Sequence, residues 1–395
     1  MIPKQDILDR VAEWHLRPEV VEKDYVLGWL LAALGAHPET AAHWVFKGGT
    51  CIKKCFAETY RFSEDLDFTL RPGAIYDEEG LRGVVREVAA TAGEASGIVF
   101  LMNDIVVRPR KNRRGERTFE ARLGYRGPLD NPAQPKVRFD LSQYEEVVLP
   151  TERRAIFHPY PDSLPSDAAA VCYAFDEVLA EKTRALIERT RPRDLYDVVL
   201  ILDDHVGSLD LRRAREVLLA KCEAKGIALP TAAGLLELVR AAAELASEWG
   251  NMLGHQLPAL PDLAAVIERL GRLTGWVDGP TRAAPPPARL PVARAGRGPT
   301  PDLVAPRSSR FWGVGVPLDV IRFAGANRLL VAFTYNGKPR TVEPYSLRRP
   351  KTGSLLLYGW ERDSSQIKAF DVSKIRDVEV TRVAFSPRYR IEFTA

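Results

Sequence analysis

The chain has 395 residues, of which 46% are hydrophobic and 27% charged, and a formal net charge of +4. This excludes a disordered or fibrous chain, and the length exceeds one ordinary domain of about 100–200 residues. The near balance of charge is a cancellation: residues 281–395 hold 20 Lys+Arg against 9 Asp+Glu, and residues 1–280 hold 36 against 43. An acidic front and a basic back predict two bodies with different partners.

The opening, Met1 to His15, is charged and has no apolar core of a signal peptide, and no run of about 18 apolar residues follows. Four scattered cysteines (Cys51, Cys55, Cys172, Cys222) make no disulfide framework. The expectation is a cytoplasmic, reduced protein with no membrane partner. Pro18 starts a helix through Leu30, and Trp44–Phe46 forms a short strand ending in Lys47-Gly48-Gly49-Thr50. A helical segment at 52–56 precedes a strand at Asp65–Leu70. An amphipathic helix over 81–96, a strand pair from Ile105 to Arg126 around a basic turn, and a strand at Val137–Leu141 come next. Beyond about residue 165 the period is helical: 175–190, 195–202, 211–225, 232–249 and 264–273. Residues 279–310 are rich in Pro, Ala and Arg and read as a semi-rigid linker. The remainder is strand-rich, with a hairpin signal at Asn336-Gly337, a short helix near Asp319–Ala324 and strands at 329–335, 355–360, 378–385 and 389–393. The predicted domains are an α/β core (1–165), its helical half (166–278), the linker (279–310) and a small β domain (311–395).

The chemistry concentrates in one stretch. Side chains alternate along a strand, so Asp65 and Asp67 point the same way while Leu66 and Phe68 anchor the other face. Two carboxylates side by side repel unless a cation such as Mg²⁺ lies between them and a substrate phosphate. A Gly-Gly-Thr turn lets backbone N–H groups approach phosphate oxygens closely. Phosphoryl transfer needs this combination of cradle and divalent metal. Asp140, on its own strand, is the candidate third acid. Asp194, after Pro192, reads as a candidate N-cap of the helix that begins at Leu195. The six histidines have no metal-ligand spacing, and Cys51 and Cys55 read as small apolar residues without a second pair for zinc.

Phe46 to Thr50 together with Arg61-Phe62-Ser63-Glu64-Asp65-Leu66-Asp67-Phe68 resembles the signature of the AbiEii/AbiGii-type nucleotidyltransferase toxins, members of the DNA polymerase β-like superfamily. Glu22-Lys23-Asp24-Tyr25, Lys182-Thr183-Arg184 and Arg193-Asp194-Leu195-Tyr196-Asp197 resemble further segments of it, so the resemblance spans about residues 15–275. It implies a polymerase β-like nucleotidyltransferase core with a helical half. Lys47, Gly48, Gly49 and Thr50 would hold the triphosphate of an NTP, and Asp65 and Asp67, with Asp140, would bind Mg²⁺ or Mn²⁺. Lys182 would contact the nucleotide, and Asp194 and Asp197 would border the active site. It further implies an RNA acceptor, with the 3′ end of tRNA favoured, an antitoxin protein, and a toxin–antitoxin or phage-defence role. Residues 108–126 carry eight Lys+Arg against two acids, with Phe119 and Tyr125 interleaved. Arg110, Lys111, Arg113, Arg114 and Arg117 are thus candidates to track an RNA backbone.

Residues 315–385 resemble the WYL domain, an Sm-like β-barrel module, although Leu355-Leu356-Leu357 stands where the namesake Trp-Tyr-Leu would fall. The likeness implies a nucleotide or nucleic-acid ligand, with Tyr335, Arg340 and Arg348 as candidate contacts. A second reading of the whole chain is a nucleotide- or nucleic-acid-sensing regulator of a defence system, whose transferase-like half is not catalytic.

Overall fold

The computed structural model describes residues 1–14, 16–57, 61–112, 114–257, 260–279, 318, 321, 324–325, 329–348, 355–385 and 388–389. The chain divides into two compact units, residues 1–280 and 281–395. The first unit opens with helices α1 (Lys4–Trp14), α2 (Pro18–Ala36) and α3 (Pro38–His43), strand β1 (Trp44–Lys47), the single turn α4 (Gly48–Cys51) and a π-helical turn, Ile52–Phe56. Strand β2 (Asp65–Leu70), helix α5 (Glu78–Ser96) and strands β3 (Val99–Phe100), β4 (Val106–Lys111), β5 (Arg117–Arg126), β6 (Lys136–Ser142), β7 (Glu152–Ala155) and β8 (Ala169–Cys172) follow. Six helices complete it: α6 (Phe175–Arg189), α7 (Pro192–Asp204), α8 (Leu211–Ala224), α9 (Ala232–Ala241), α10 (Ala243–Leu253) and α11 (Leu263–Leu273). It is thus the expected mixed α/β body with a helical half.

The sheet runs β3-β5-β6-β2-β1-β8-β7, with β4 paired to β5. β2 lies parallel to β6 and antiparallel to β1. Along β2 the side chains of Leu66 and Phe68 are buried, while Asp65 and Asp67 are half-buried on the opposite face. Helix α2 is buried along most of its length. Helix α5 is capped by Asp77, whose carboxylate accepts the Gly80 N–H, and it ends at Gly97 in the left-handed region.

Two features depart from the sequence reading. The helical run at 232–249 breaks at Ala242, because α9 packs on α11 whereas α10 packs on α7. Strand β8 lies past residue 165, yet it belongs to the sheet, parallel to β1.

In the second unit, β9 (Leu329–Tyr335), β10 (Lys338–Arg348), β11 (Leu356–Glu361), β12 (Gln366–Asp371) and β13 (Ile375–Ala384) form one antiparallel sheet, ordered β12-β11-β10-β9-β13. Asn336 and Gly337 both have positive φ (50° and 74°), the tight hairpin geometry their sequence predicts. Val331, Phe333, Val342, Leu357 and Phe370 build the core.

The expected Sm-like barrel is not closed. Barrel closure needs a hydrogen-bonded ladder between the edge strands. Among the described residues β12 and β13 share only the short 3₁₀ turn Val372–Lys374, and the Asp371 N–H donates to the Tyr335 hydroxyl at 3.3 Å. The linker over 280–310 and the strand residues 390–393 lie outside the described residues. Of the expected short helix, Ile321 and Ala324 are helical and buried.

Candidate active site

The glycine turn is fixed by its neighbours. Gly48 has φ +83°, and a Cβ on it would fall into the Asp67 carboxylate. A Cβ on Gly49 would lie 2.6 Å from an Arg61 nitrogen and 3.0 Å from the Ser63 hydroxyl. Thr50 donates its hydroxyl to the Asp65 carbonyl at 2.5 Å, stapling α4 to the start of β2. The segment from Arg61 to Ser63 therefore packs directly behind the turn.

Register assembles the acids. On parallel strands, Asp67 stands opposite Asp140 and Asp65 opposite Arg138. Lys47 stands opposite Asp67 on the other side, and Glu120 opposite Asp140. Arg138 contacts the Asp65 carboxylate and lies 3.4 Å from that of Asp140. Burial, and then the charge of Asp67, raise the Asp65 carboxyl above the usual range and push that of Asp140 up to about 7. Crowded, hard oxygen donors of this kind suit a Mg²⁺-class cation. Among the described residues no three carboxylates bring oxygens within 4.8 Å of one another. The acids that crowd this face of the sheet are Asp65 and Asp67 on β2, with Asp140 beside them on β6.

Helices α6 and α7 supply the facing wall. Lys182 is nearly buried and its ammonium lies 2.7 Å from Asp197 and 3.9 Å from Asp194. Asp194 sits inside the first turn of α7, where Arg191 is the N-cap, and accepts both arms of Arg189 at 2.6 and 2.8 Å. It is thus a buried ion-pair partner, and the N-cap reading does not hold. Asp197 is fully buried and accepts two bonds from Arg61, at 2.7 and 2.9 Å; Arg61 also donates to Gln256 at 2.8 Å. Burial opposes its ionisation, but Arg61 and Lys182 hold its carboxyl well below the ordinary carboxylate range.

Between these walls lies a cavity of about 300 Å³, the volume of a small-ligand site. Lys47, Gly48, Asp67, Asp140, Lys182 and Asp194 line it, over a floor that includes Phe68, Phe119 and Tyr173. Asp65, Gly49, Thr50 and Asp197 lie outside its lining. Lys47 pairs with Glu145, and Glu145, Glu181 and Asp67 keep its ammonium charged against the effect of burial.

Arg61, Arg138, Glu145, Glu181 and Arg189 were absent from the sequence-derived set. Arg138 stands two positions from Asp140 on β6 and shares its face by the alternation that pairs Asp65 with Asp67. Arg61 heads the quoted signature segment, although its pairing with Asp197 is set by the fold; Glu145, Glu181 and Arg189 are joined to the site only by the fold.

The hairpin of β4 and β5 borders the cavity, since Asn112, Thr118 and Phe119 line it. Lys111, Arg114 and Arg117 are exposed, Arg110 pairs with Glu120 at 3.2 Å, and Arg114 donates to the Lys225 carbonyl. Arg113 lies outside the described residues. In the second unit, Arg340 donates to the buried Glu361 at 2.6 Å, Tyr335 packs edge-on against Phe370, and Arg348 is exposed at the end of β10.

Comparison with known proteins gives two family matches: "Nucleotidyl transferase AbiEii toxin, Type IV TA system" over residues 29–271, and the WYL domain over residues 317–380. No curated protein matches the chain. Among solved structures, the MenT4 nucleotidyltransferase toxin of Mycobacterium tuberculosis H37Rv is 18% identical, covering 71% of this chain and 91% of its own, with a TM-score of 0.47. Proteasome accessory factor B/C of Arthrobacter aurescens is 12% identical, covering 94% and 74%, with a TM-score of 0.17.

Proposed function

Because the chain belongs to the AbiEii nucleotidyltransferase toxin family and carries a WYL domain, we propose that it transfers a nucleotide from an NTP to an RNA acceptor, the 3′ end of a tRNA being favoured. The non-catalytic reading gives way to an enzyme. The observation that carries the proposal is the register of β2 against β6. It sets Asp67 beside Asp140 in the lining of a cavity that Lys47, Gly48 and Lys182 share, with Asp65 on the same face of β2 but outside that lining.

In this reading the RNA 3′-hydroxyl attacks the α-phosphorus, a P–O bond forms, and the bond to pyrophosphate breaks. Asp65 and Asp67 would hold the Mg²⁺ or Mn²⁺, which supplies charge stabilisation at the reacting phosphate and the leaving pyrophosphate. Asp140, opposite Asp67 on the neighbouring strand, would be the third oxygen donor to that cation. The peptide N–H groups at Gly48 and Gly49 and the ammonium of Lys182 would bind phosphate oxygens. Thr50 and Asp197 act through position: Thr50 holds the turn, and Asp197, pinned by Arg61, orients Lys182. Arg110, Lys111, Arg113, Arg114 and Arg117 would lead the acceptor strand to the cavity.

An antitoxin partner, a defence role and a cytoplasmic setting belong to the same reading. Among the described residues no helix is long and apolar enough to cross a membrane. The WYL domain would bind a nucleotide or nucleic acid, with Arg348 the most accessible of its three candidate contacts. The test is incubation of the protein with total RNA, Mg²⁺ and each labelled NTP separately. Label is expected at RNA 3′ ends from one favoured NTP and absent when the RNA is oxidised with periodate before the reaction; label on pre-oxidised RNA would contradict the acceptor assignment.

A further inference from the structure

Cys51 ends α4, Cys55 lies in the π-helical turn that continues it, and Cys172 ends β8. The fold brings their three sulfurs within 4.8 Å of one another, and each residue is at most 2% exposed. Buried cysteines usually serve as small apolar side chains, a role that does not require convergence. The fourth cysteine, Cys222, is also buried but stands apart from the group.

The geometry fits a soft cation. Metal–thiolate bonds of about 2.3 Å place sulfurs about 4 Å apart, so the cluster needs a contraction of under about 1 Å to close on an ion. The existing S–H bonds are weak: Cys51 donates to the Phe46 carbonyl at 3.5 Å and Cys172 to the Ala170 carbonyl at 3.6 Å. No carboxylate or imidazole joins the sulfurs among the described residues. Structural zinc sites are four-coordinate, whereas three converging thiolates match the lower coordination number of a soft ion such as Cu(I).

Positive charge is close by. The Arg154 guanidinium donates to the Cys55 carbonyl at 3.3 Å and lies 4.6 Å over the Phe56 ring.

We propose that Cys51, Cys55 and Cys172 form a buried, three-coordinate thiolate site for a soft d¹⁰ cation of the Cu(I) class. The site lies behind the catalytic turn. Cys51 adjoins Thr50, and Cys172 stands opposite Phe46 and precedes Tyr173, which lines the cavity. A bound ion would pin α4 to β8. This assignment rests on the sulfur geometry and does not depend on the transferase reading.

The test is an anaerobic titration of the reduced, full-length chain with Cu(I) against a chromophoric Cu(I) chelator, with Zn(II) in a parallel titration. One Cu(I) per chain is expected, with a rise in melting temperature. Cys55→Ser should weaken the site by roughly a hundredfold or more, and Cys222→Ser should leave it unchanged. A wild-type chain that leaves Cu(I) on the chelator overturns the proposal without any variant. A folded Cys55→Ser protein that binds like wild type also overturns it, as does a chain that takes Zn(II) but not Cu(I).

Discussion

Gly48 shows how tightly single residues constrain the site. Its positive φ and its contact with Asp67 leave no room for a Cβ. Gly48→Ala should therefore cost about 1–2 kcal/mol in stability and displace the carboxylate that the reaction needs, which a melt and a labelling assay would measure together. Asp67 and Asp197 make a sharper pair. Asp67→Ala should lower activity by at least roughly a hundredfold while the melting temperature stays near wild type. Asp197→Ala strands Arg61 and Lys182 without their shared counter-charge and should destabilise the fold by about 3–5 kcal/mol. An Asp197→Ala protein as stable as wild type would contradict its pinning role. The shared face of Asp65 and Asp67 was legible in the sequence because strand alternation is strict, whereas the place of Asp140 beside Asp67 depends on the pairing of β6 with β2. The roles of Asp194 and Asp197 were not, because their partners Arg189 and Arg61 reach them only through helix and loop packing that no local pattern encodes.

Two elements carry measurable predictions. The segment that follows β7 docks on α2 through His158, whose ring packs among Tyr25, Trp29 and Tyr160. Burial, and then the charge of Lys54, lower the His158 pKa to about 4. Between about pH 6.5 and 4 the unfolded chain binds the proton more readily than the folded one. Stability is therefore full above pH 6.5 and falls as the pH drops, by about 3 kcal/mol from this group. Melting temperatures across that range should show the slope, and His158→Gln should flatten it. The β4–β5 hairpin is the other element. Lys111→Ala and Arg117→Ala should each weaken RNA binding and lower the salt slope of affinity by roughly 1; an unchanged slope would remove the hairpin from the RNA path. Long amphipathic helices such as α5 and α6 were readable from their period. β8 was not, because four residues, Ala-Ala-Val-Cys, carry no alternation, and its place beside β1 is set by parallel pairing across a long interval of sequence.

For the molecule as a whole, the +4 net charge conceals an acidic transferase body and a basic remainder. Within the acidic body, the exposed cations Lys111, Arg114 and Arg117 on the hairpin that borders the cavity supply a local field suited to steering RNA. Strands β9, β11 and β13 and the Asn-Gly turn into β10 were legible from composition and turn chemistry, whereas β12 was not predicted. Closure of the sheet was not, because it depends on whether the edge strands pair. The central claim is that the acids on β2 drive nucleotide transfer to RNA. The most direct measurement is RNA labelling by the full-length protein with Mg²⁺ and NTP, run beside Asp65→Ala and Asp67→Ala proteins of matched thermal stability. Wild type should label RNA, chelation of the metal should stop it, and neither variant should label above background. Undiminished labelling by the Asp67→Ala protein, or none by wild type with any of the four NTPs, would contradict the claim.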